Sequence, residues 1–92
     1  MLLYQNSNGY CYNSDTLFLY EFISKFNPKG SVLDIGSGCG ILGLLIKRDF
    51  DIELTQIDIQ QKNCFLNTQN ARVNSLKSNI INENFLDYNF KQ

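Results

Sequence analysis

The sequence has no histidine, a single proline at Pro28, and no run of lysines or arginines. Its three cysteines, Cys11, Cys39 and Cys64, are far apart and outside any CxxC spacing. With no histidine beside them, a zinc site or disulfide framework is not expected, and each cysteine reads as a small, half-buried thiol in a reducing compartment. The charges nearly cancel, 8 basic against 9 acidic for a net of −1, so the chain carries no electrostatic footprint for a nucleic acid. No cationic, apolar leader opens it. The longest apolar segment, about Ile41–Ile46, is far short of a membrane span. A soluble, cytoplasmic chain that engages no membrane is expected.

What is present suffices for a fold. A chain of 92 residues, 43% apolar and 13% aromatic, builds one compact domain and no more. Residues 1–13 are polar with interspersed tyrosines and read as an arm, with a turn at Asn8-Gly9 and a short strand through Tyr10–Tyr12. Ser14 or Asp15 is a natural N-cap for a helix over 15–26, in which Leu19, Phe22, Ile23 and Phe26 recur at helical spacing as an apolar face. Pro28 and Gly30 end it.

The remainder alternates. Ser31–Ile35 reads as a buried strand entering a glycine cluster, Ile41–Phe50 as a helix, Ile52–Ile57 as a second strand ending at Asp58, and Gln60–Asn74 as a helix. In that helix Cys64, Thr68 and Ala71 share a face, but its asparagines weaken the pattern. Ser78–Asn82 is a short third strand, and 84–92 a loop or tail. The order is a helix followed by β-α-β-α-β. Parallel strands need crossovers, and here the crossovers are helices. The expected fold class is α/β: half of a doubly wound sheet with parallel strand order 3-2-1. Residues 1–30 are arm and helix, and 31–92 the βαβαβ unit. The first strand then has one edge without a partner, which invites self-association or pairing with a missing C-terminal half.

Gly36, Gly38 and Gly40 alternate directly after the first strand, and Gly43 falls one turn into the helix. Glycine permits positive φ and close approach of a ligand to the backbone, while Gly43 lets the helix pack close to the strand. GxGxxG alone is a weak signal. Strand before, helix after and Asp58 closing the next strand, about 20 residues on, strengthen it. An acid there can accept both ribose hydroxyl hydrogens. Asp34 discriminates among nucleotides, because a carboxylate facing the site repels a pyrophosphate and attracts an ammonium or sulfonium. That favours S-adenosylmethionine over a nicotinamide dinucleotide.

With Asp34, Gly36, Gly38, Gly40 and Asp58 in place, the sequence resembles class I S-adenosylmethionine-dependent methyltransferases, whose fold is Rossmann-like. DIGSGCG is similar to their first motif and QIDIQ to their second-strand acid motif. Gln5 followed by GYCYNSDTLFLYEF, the DIGSGCGILGLLI turn and NFLDY resemble the subgroup containing the tRNA1(Val) adenine-37 N6-methyltransferase. The resemblance implies that Asp34 lies near the methionine ammonium, and that Gly36, Ser37, Gly38 and Gly40 line the amino-acid moiety. It implies that Asp58 holds the ribose with Ile59 against the adenine, and that Ser14 and Asp15 close over the cofactor. Asn84 stands where the family places an acid for the adenine amino group, with Phe85 beside it. The amide oxygen of Asn84 can accept the same bond, and Asp87 is the alternative acid. The acceptor implied is a tRNA adenine.

One departure decides what catalysis to expect. The subgroup holds its target nitrogen with an Asn/Asp-Pro-Pro-Tyr/Phe motif, and this chain's one proline, Pro28, precedes the first strand. With no histidine and no carboxylate pair placed for base work, no catalytic residue is assigned. The chain reads as the cofactor-binding N-terminal half of a methyltransferase, inactive alone. The other readings are a non-catalytic nucleotide-binding module and a split subunit completed by another chain.

Overall fold

A computed structural model describes residues 14–87, with side chains described from 15 to 86. The expected arm over 1–13 lies outside the described residues. The element order is α1 (Ser14–Ser24), β1 (Gly30–Ile35), α2 (Ile41–Asp49), β2 (Ile52–Asp58), α3 (Gln61–Val73), β3 (Asn79–Asn82) and a single 3₁₀ turn at Phe85–Asp87. The strands pair in parallel in the order β1-β2-β3, with Val32 opposite Leu54, Asp34 opposite Gln56, and Gln56 opposite Ile80. This is the expected α/β half-sheet, a partial Rossmann-like arrangement.

Strand alternation assigns the faces. Val32, Ile52, Leu54 and Ile80 point to one side, where Leu44 and Ile46 of α2 and Ala71 of α3 close the core over them. Leu33 and Ile35 point the other way and stay exposed. Among the described residues β1 pairs only with β2, and no described strand covers its outer edge. Glycine starts α2: Gly40 sits at φ +90° and caps it without a side-chain bond. Lys47 and Arg48 stand in its last turn, where cations favour the negative end of the helix dipole.

Helix α1 departs from its sequence pattern. Leu19, Phe22 and Phe26 were the expected inward face with Ile23, yet only Ile23 turns inward, together with Tyr20. Phe18, Leu19, Phe22 and Phe26 are exposed. The cause is the docking partner. α1 packs on α2 rather than on the sheet, and a narrow contact through Tyr20 and Ile23 covers only part of a broad apolar stripe. Tyr20 Oη donates to Asp49 on α2. Arg48 also donates to that carboxylate, from Nε at 2.8 Å; the Arg48 bond first, and the Tyr20 bond second, hold the Asp49 carboxyl down to about 2. The helix ends two residues early because i→i−3 bonds from Phe26 to Ile23 and Asn27 to Ser24 tighten it, and Asn27 takes φ +49° ahead of Pro28. Phe22 and Phe26 meet edge to face at 5.3 Å.

Two substitutions test this assignment of inside and outside. Leu44→Ala, at a side chain with no exposed surface, is expected to lower unfolding free energy by about 2–5 kcal/mol in urea titration. Phe18→Ser, at an exposed position, is expected to change it by no more than about 0.5 kcal/mol.

Candidate cofactor site

In an open parallel sheet the ligand crevice lies beyond the carboxyl ends of the strands. Here that end carries a cleft of about 350 Å³, walled by Gly36, Asp58, Ile59, Asn63, Asn84 and Phe85 among others. Five of the residues singled out in the sequence therefore meet at one place: Gly36, Asp58, Ile59, Asn84 and Phe85.

Asp58 organises it. The side chain is buried at the end of β2. Its Oδ2 accepts the Gly38 N–H at 2.8 Å and its Oδ1 accepts the Gln60 N–H at 2.8 Å. Asn63 Nδ2 lies 3.4 Å from each oxygen. One carboxylate thus links the glycine turn to the loop that starts α3. An ionised carboxylate has about four acceptor positions, so Asp58 can receive further donors from a ligand in the cleft beside Ile59.

The glycines divide into two kinds. A side chain at Gly36 or Gly38 would meet nothing within 4 Å, but both hold positive φ, at +67° and +58°. The backbone there lies open to an approaching group. Gly40 and Gly43 are closed instead. A Cβ on Gly40 would run into the side chain of Asn67, and one on Gly43 would lie 2.5 Å from Gln56 Nε2 and 3.0 Å from Asp34 Oδ2. Gly43 does let α2 approach the sheet, as its place in the sequence implied, and the room is filled by a glutamine and a carboxylate.

The other sequence-derived candidates lie apart from the cleft walls. Asp34 is half-buried in β1 and accepts a bond from Gln56 Nε2 at 3.0 Å. Burial pushes its carboxyl above the usual range; the Gln56 bond and the Gly43 backbone N–H pull it back, and Asp58 adds a smaller upward push. Ser37 Oγ accepts from Asn67 Nδ2 at 3.3 Å. Asp15 lines a different groove, on α1 with Phe18, Leu19 and Phe22. The side chains of Ser14 and Asp87 lie outside the described residues. The Oδ1 of Asn84, the atom expected to receive the adenine amino group, accepts the Leu86 N–H at 3.0 Å and so shapes the 3₁₀ turn.

One of the two described cysteines departs from its reading, and the other keeps it. Cys39 is disulfide-bonded. Cys64 is the expected free thiol and is buried, with Sγ 3.5 Å from the Asp58 carbonyl oxygen; burial first, and the Asp58 charge second, push that thiol up.

Four amide side chains outside the expected set shape the site: Gln56, Asn63, Asn67 and Asn70. Gln56, Asn67 and Asn70 have no exposed surface. The signal was available, since Gln56 breaks an inward series of Ile52 and Leu54, and Asn67 shares its face with Cys64 and Ala71.

A family model for the methyltransferase small domain matches residues 11–92. The chain belongs to that family. Among solved structures it is similar to the Pyrococcus abyssi tRNA (uracil-54, C5)-methyltransferase in complex with S-adenosyl-L-homocysteine, at TM-score 0.64 and 22% identity over 82% of this chain. It is also similar to the plantazolicin methyltransferase BamL, in complex with a triazolic desmethylPZN analog and SAH, at TM-score 0.51 and 29% identity over 86% of this chain. The chain spans only 19% and 30% of those two chains. No curated protein matches it in sequence. Among the described residues no helix is long and apolar enough to cross a membrane.

The raised Asp34 gives a pH test. Its folded-state carboxyl titrates above the ordinary 3.8. Its contribution to stability is therefore fully present below the unfolded value and lost as pH rises through the folded one. Asp34→Asn is expected to melt higher than the parent chain at pH 7, with the difference closing below about pH 4, measured by thermal melts across pH.

Proposed function

We propose that this chain binds S-adenosylmethionine across the carboxyl ends of β1 to β3 and forms the cofactor half of a methyltransferase. Asp58 carries the reading. It is a buried carboxylate at the wall of the cleft, held by Gly38 and Gln60 and placed beside the open backbone of Gly36. In this reading its remaining acceptor positions take the ribose hydroxyls, and Ile59 and Phe85 flank the base. Gly36 and Gly38 give the methionine part room against the backbone, and the negative charge of Asp34 behind the turn favours the ammonium and sulfonium over a pyrophosphate. Asp15 has no part in it unless α1 shifts. Family membership and the two ligand-bound neighbours support the choice of cofactor.

Adenine N6 in RNA, with tRNA as substrate, is the finer reading, supported by the GYCYNSDTLFLYEF and NFLDY segments and by no other observation. The amino-group-holding proline motif of that subgroup is not in these 92 residues, so in this finer reading the group that holds the target nitrogen comes from outside them. A cytoplasmic setting goes with an RNA-modifying role; the Cys39 disulfide pulls against it. The exposed outer edge of β1, next to the cleft at Ile35 and Gly36, is where further strands would complete the sheet.

Isothermal titration with S-adenosylhomocysteine tests the central reading. Saturable binding is expected, with Asp58→Ala weakening it by roughly tenfold or more; no heat up to about millimolar ligand, or equal response to NADH, would defeat it. The open edge makes a second prediction. The chain alone is expected to self-associate in sedimentation at micromolar concentration, and a stable monomer contradicts that.

A further inference from the structure

Position 56 lies on the core face of the central strand, where Ile52 and Leu54 precede it, yet it holds a glutamine with no exposed surface. A buried amide is tolerated only when its polar atoms are paired. Those of Gln56 are. Its Nε2 donates to Asp34 Oδ2 at 3.0 Å and to the Gly40 carbonyl oxygen at 3.0 Å. Its Oε1 accepts from Ser78 Oγ at 2.8 Å. The parallel register sets Gln56 opposite Asp34, and the missing side chain of Gly43 leaves the space in which the two meet.

Helix α3 adds two more amides to the same turn. Asn70 Nδ2 donates to the Cys39 carbonyl oxygen at 2.9 Å, and Asn67 Nδ2 to Ser37 Oγ at 3.3 Å. Ser37, Cys39 and Gly40 are thus each held from beneath by a neutral side-chain amide. Gly36 and Gly38 keep open space above them. Amides can hold carbonyls and a carboxylate at fixed distances without adding charge, which a lysine or arginine at the same places would do.

We infer that Gln56 is a positioning residue, whose amide locks the Asp34 carboxylate to the Gly40 end of the glycine turn so that turn and charge meet the cofactor as one rigid unit. The purpose assigned to it rests on the cofactor reading above; the geometry does not. The groups acting on Asp34 are Gln56 and the Asp58 charge from β2 and the Gly43 backbone N–H from α2. Gln56 is the side-chain donor among them, opposing burial and the like charge of Asp58.

Carboxyl-carbon and side-chain-amide NMR titration of the 92-residue chain tests this without ligand. In the parent chain the Gln56 amide signal is expected to shift with the same midpoint as the Asp34 carboxyl. Gln56→Leu removes both donors and Gln56→Glu places a like charge there at the same shape; both are expected to move the Asp34 midpoint upward. Gln56→Leu is also expected to weaken S-adenosylhomocysteine binding at pH 7 by roughly tenfold, with affinity recovering as rising pH ionises Asp34, where a shape defect alone would show no recovery. An Asp34 midpoint unmoved in a folded variant, or a parental Gln56 amide signal indifferent to Asp34, overturns the inference. Should neither variant fold, the parental amide signal decides alone. Failure of the parent chain to bind ligand counts against the cofactor reading only, since the titrations stand apart from it.

Discussion

The chain leaves β1 and enters α2 through five residues, and within them the backbone must reverse, stay open to solvent at Gly36 and Gly38, and still be anchored. That combination is the constraint on which the site depends. Positive φ at three glycines supplies the reversal. Anchoring comes from elsewhere: Gly36 and Ser37 donate to the Ile57 carbonyl oxygen at 2.7 and 3.2 Å, Gly38 donates to Asp58, and the amides of β2 and α3 hold the other side. The turn is thus fixed by groups that approach it from the sheet and from α3, which leaves its outer surface for a ligand.

The same arrangement explains why polar side chains are buried here at all. Each unpaired buried amide or carboxylate would cost about 1–3 kcal/mol, and the core is small. Gln56 and Asn70 are paired with turn carbonyls, so their burial stabilises a particular loop shape instead of opposing the fold. Asn67 is the exception: its Oδ1 finds no partner among the described residues, and it stands against Gly40, where no other residue than glycine leaves room. Asp34, raised by burial, is a second local expense. Asp34 in β1 and Asn67 in α3 both stand beside the turn and not in the Leu44–Leu54–Ala71 core, where a site of the kind proposed would hold strain.

Much of this was legible in the residues. β-branched runs and glycine spacing placed all three strands and both crossover helices to within a residue or two, because parallel strands buried on one face have a strong periodic signal. Asp58 and Gly36 were recognisable from their offset after a strand. The inward face of α1 was not legible, since an aromatic-rich helix shows an apolar stripe wider than its actual contact, and only packing on α2 selects Tyr20 and Ile23. The amides are hidden for a different reason. Asparagine lowers helix propensity, so Asn67 and Asn70 looked like weaknesses of α3, whereas their partners, Ser37 and Cys39, stand 30 and 31 residues away. Local pattern carries no record of bonds at that separation.

In the proposed reading the cleft at the strand ends, and no other surface, receives the methyl donor. Backbone amide NMR of the isotopically labelled chain titrated with S-adenosylhomocysteine tests it most directly. Shifts concentrated at Gly36, Gly38, Asp58, Ile59 and Phe85, with Phe18 and Phe22 on α1 unmoved, are the predicted result. Shifts centred on the α1 groove, or none anywhere at saturating ligand, would contradict it.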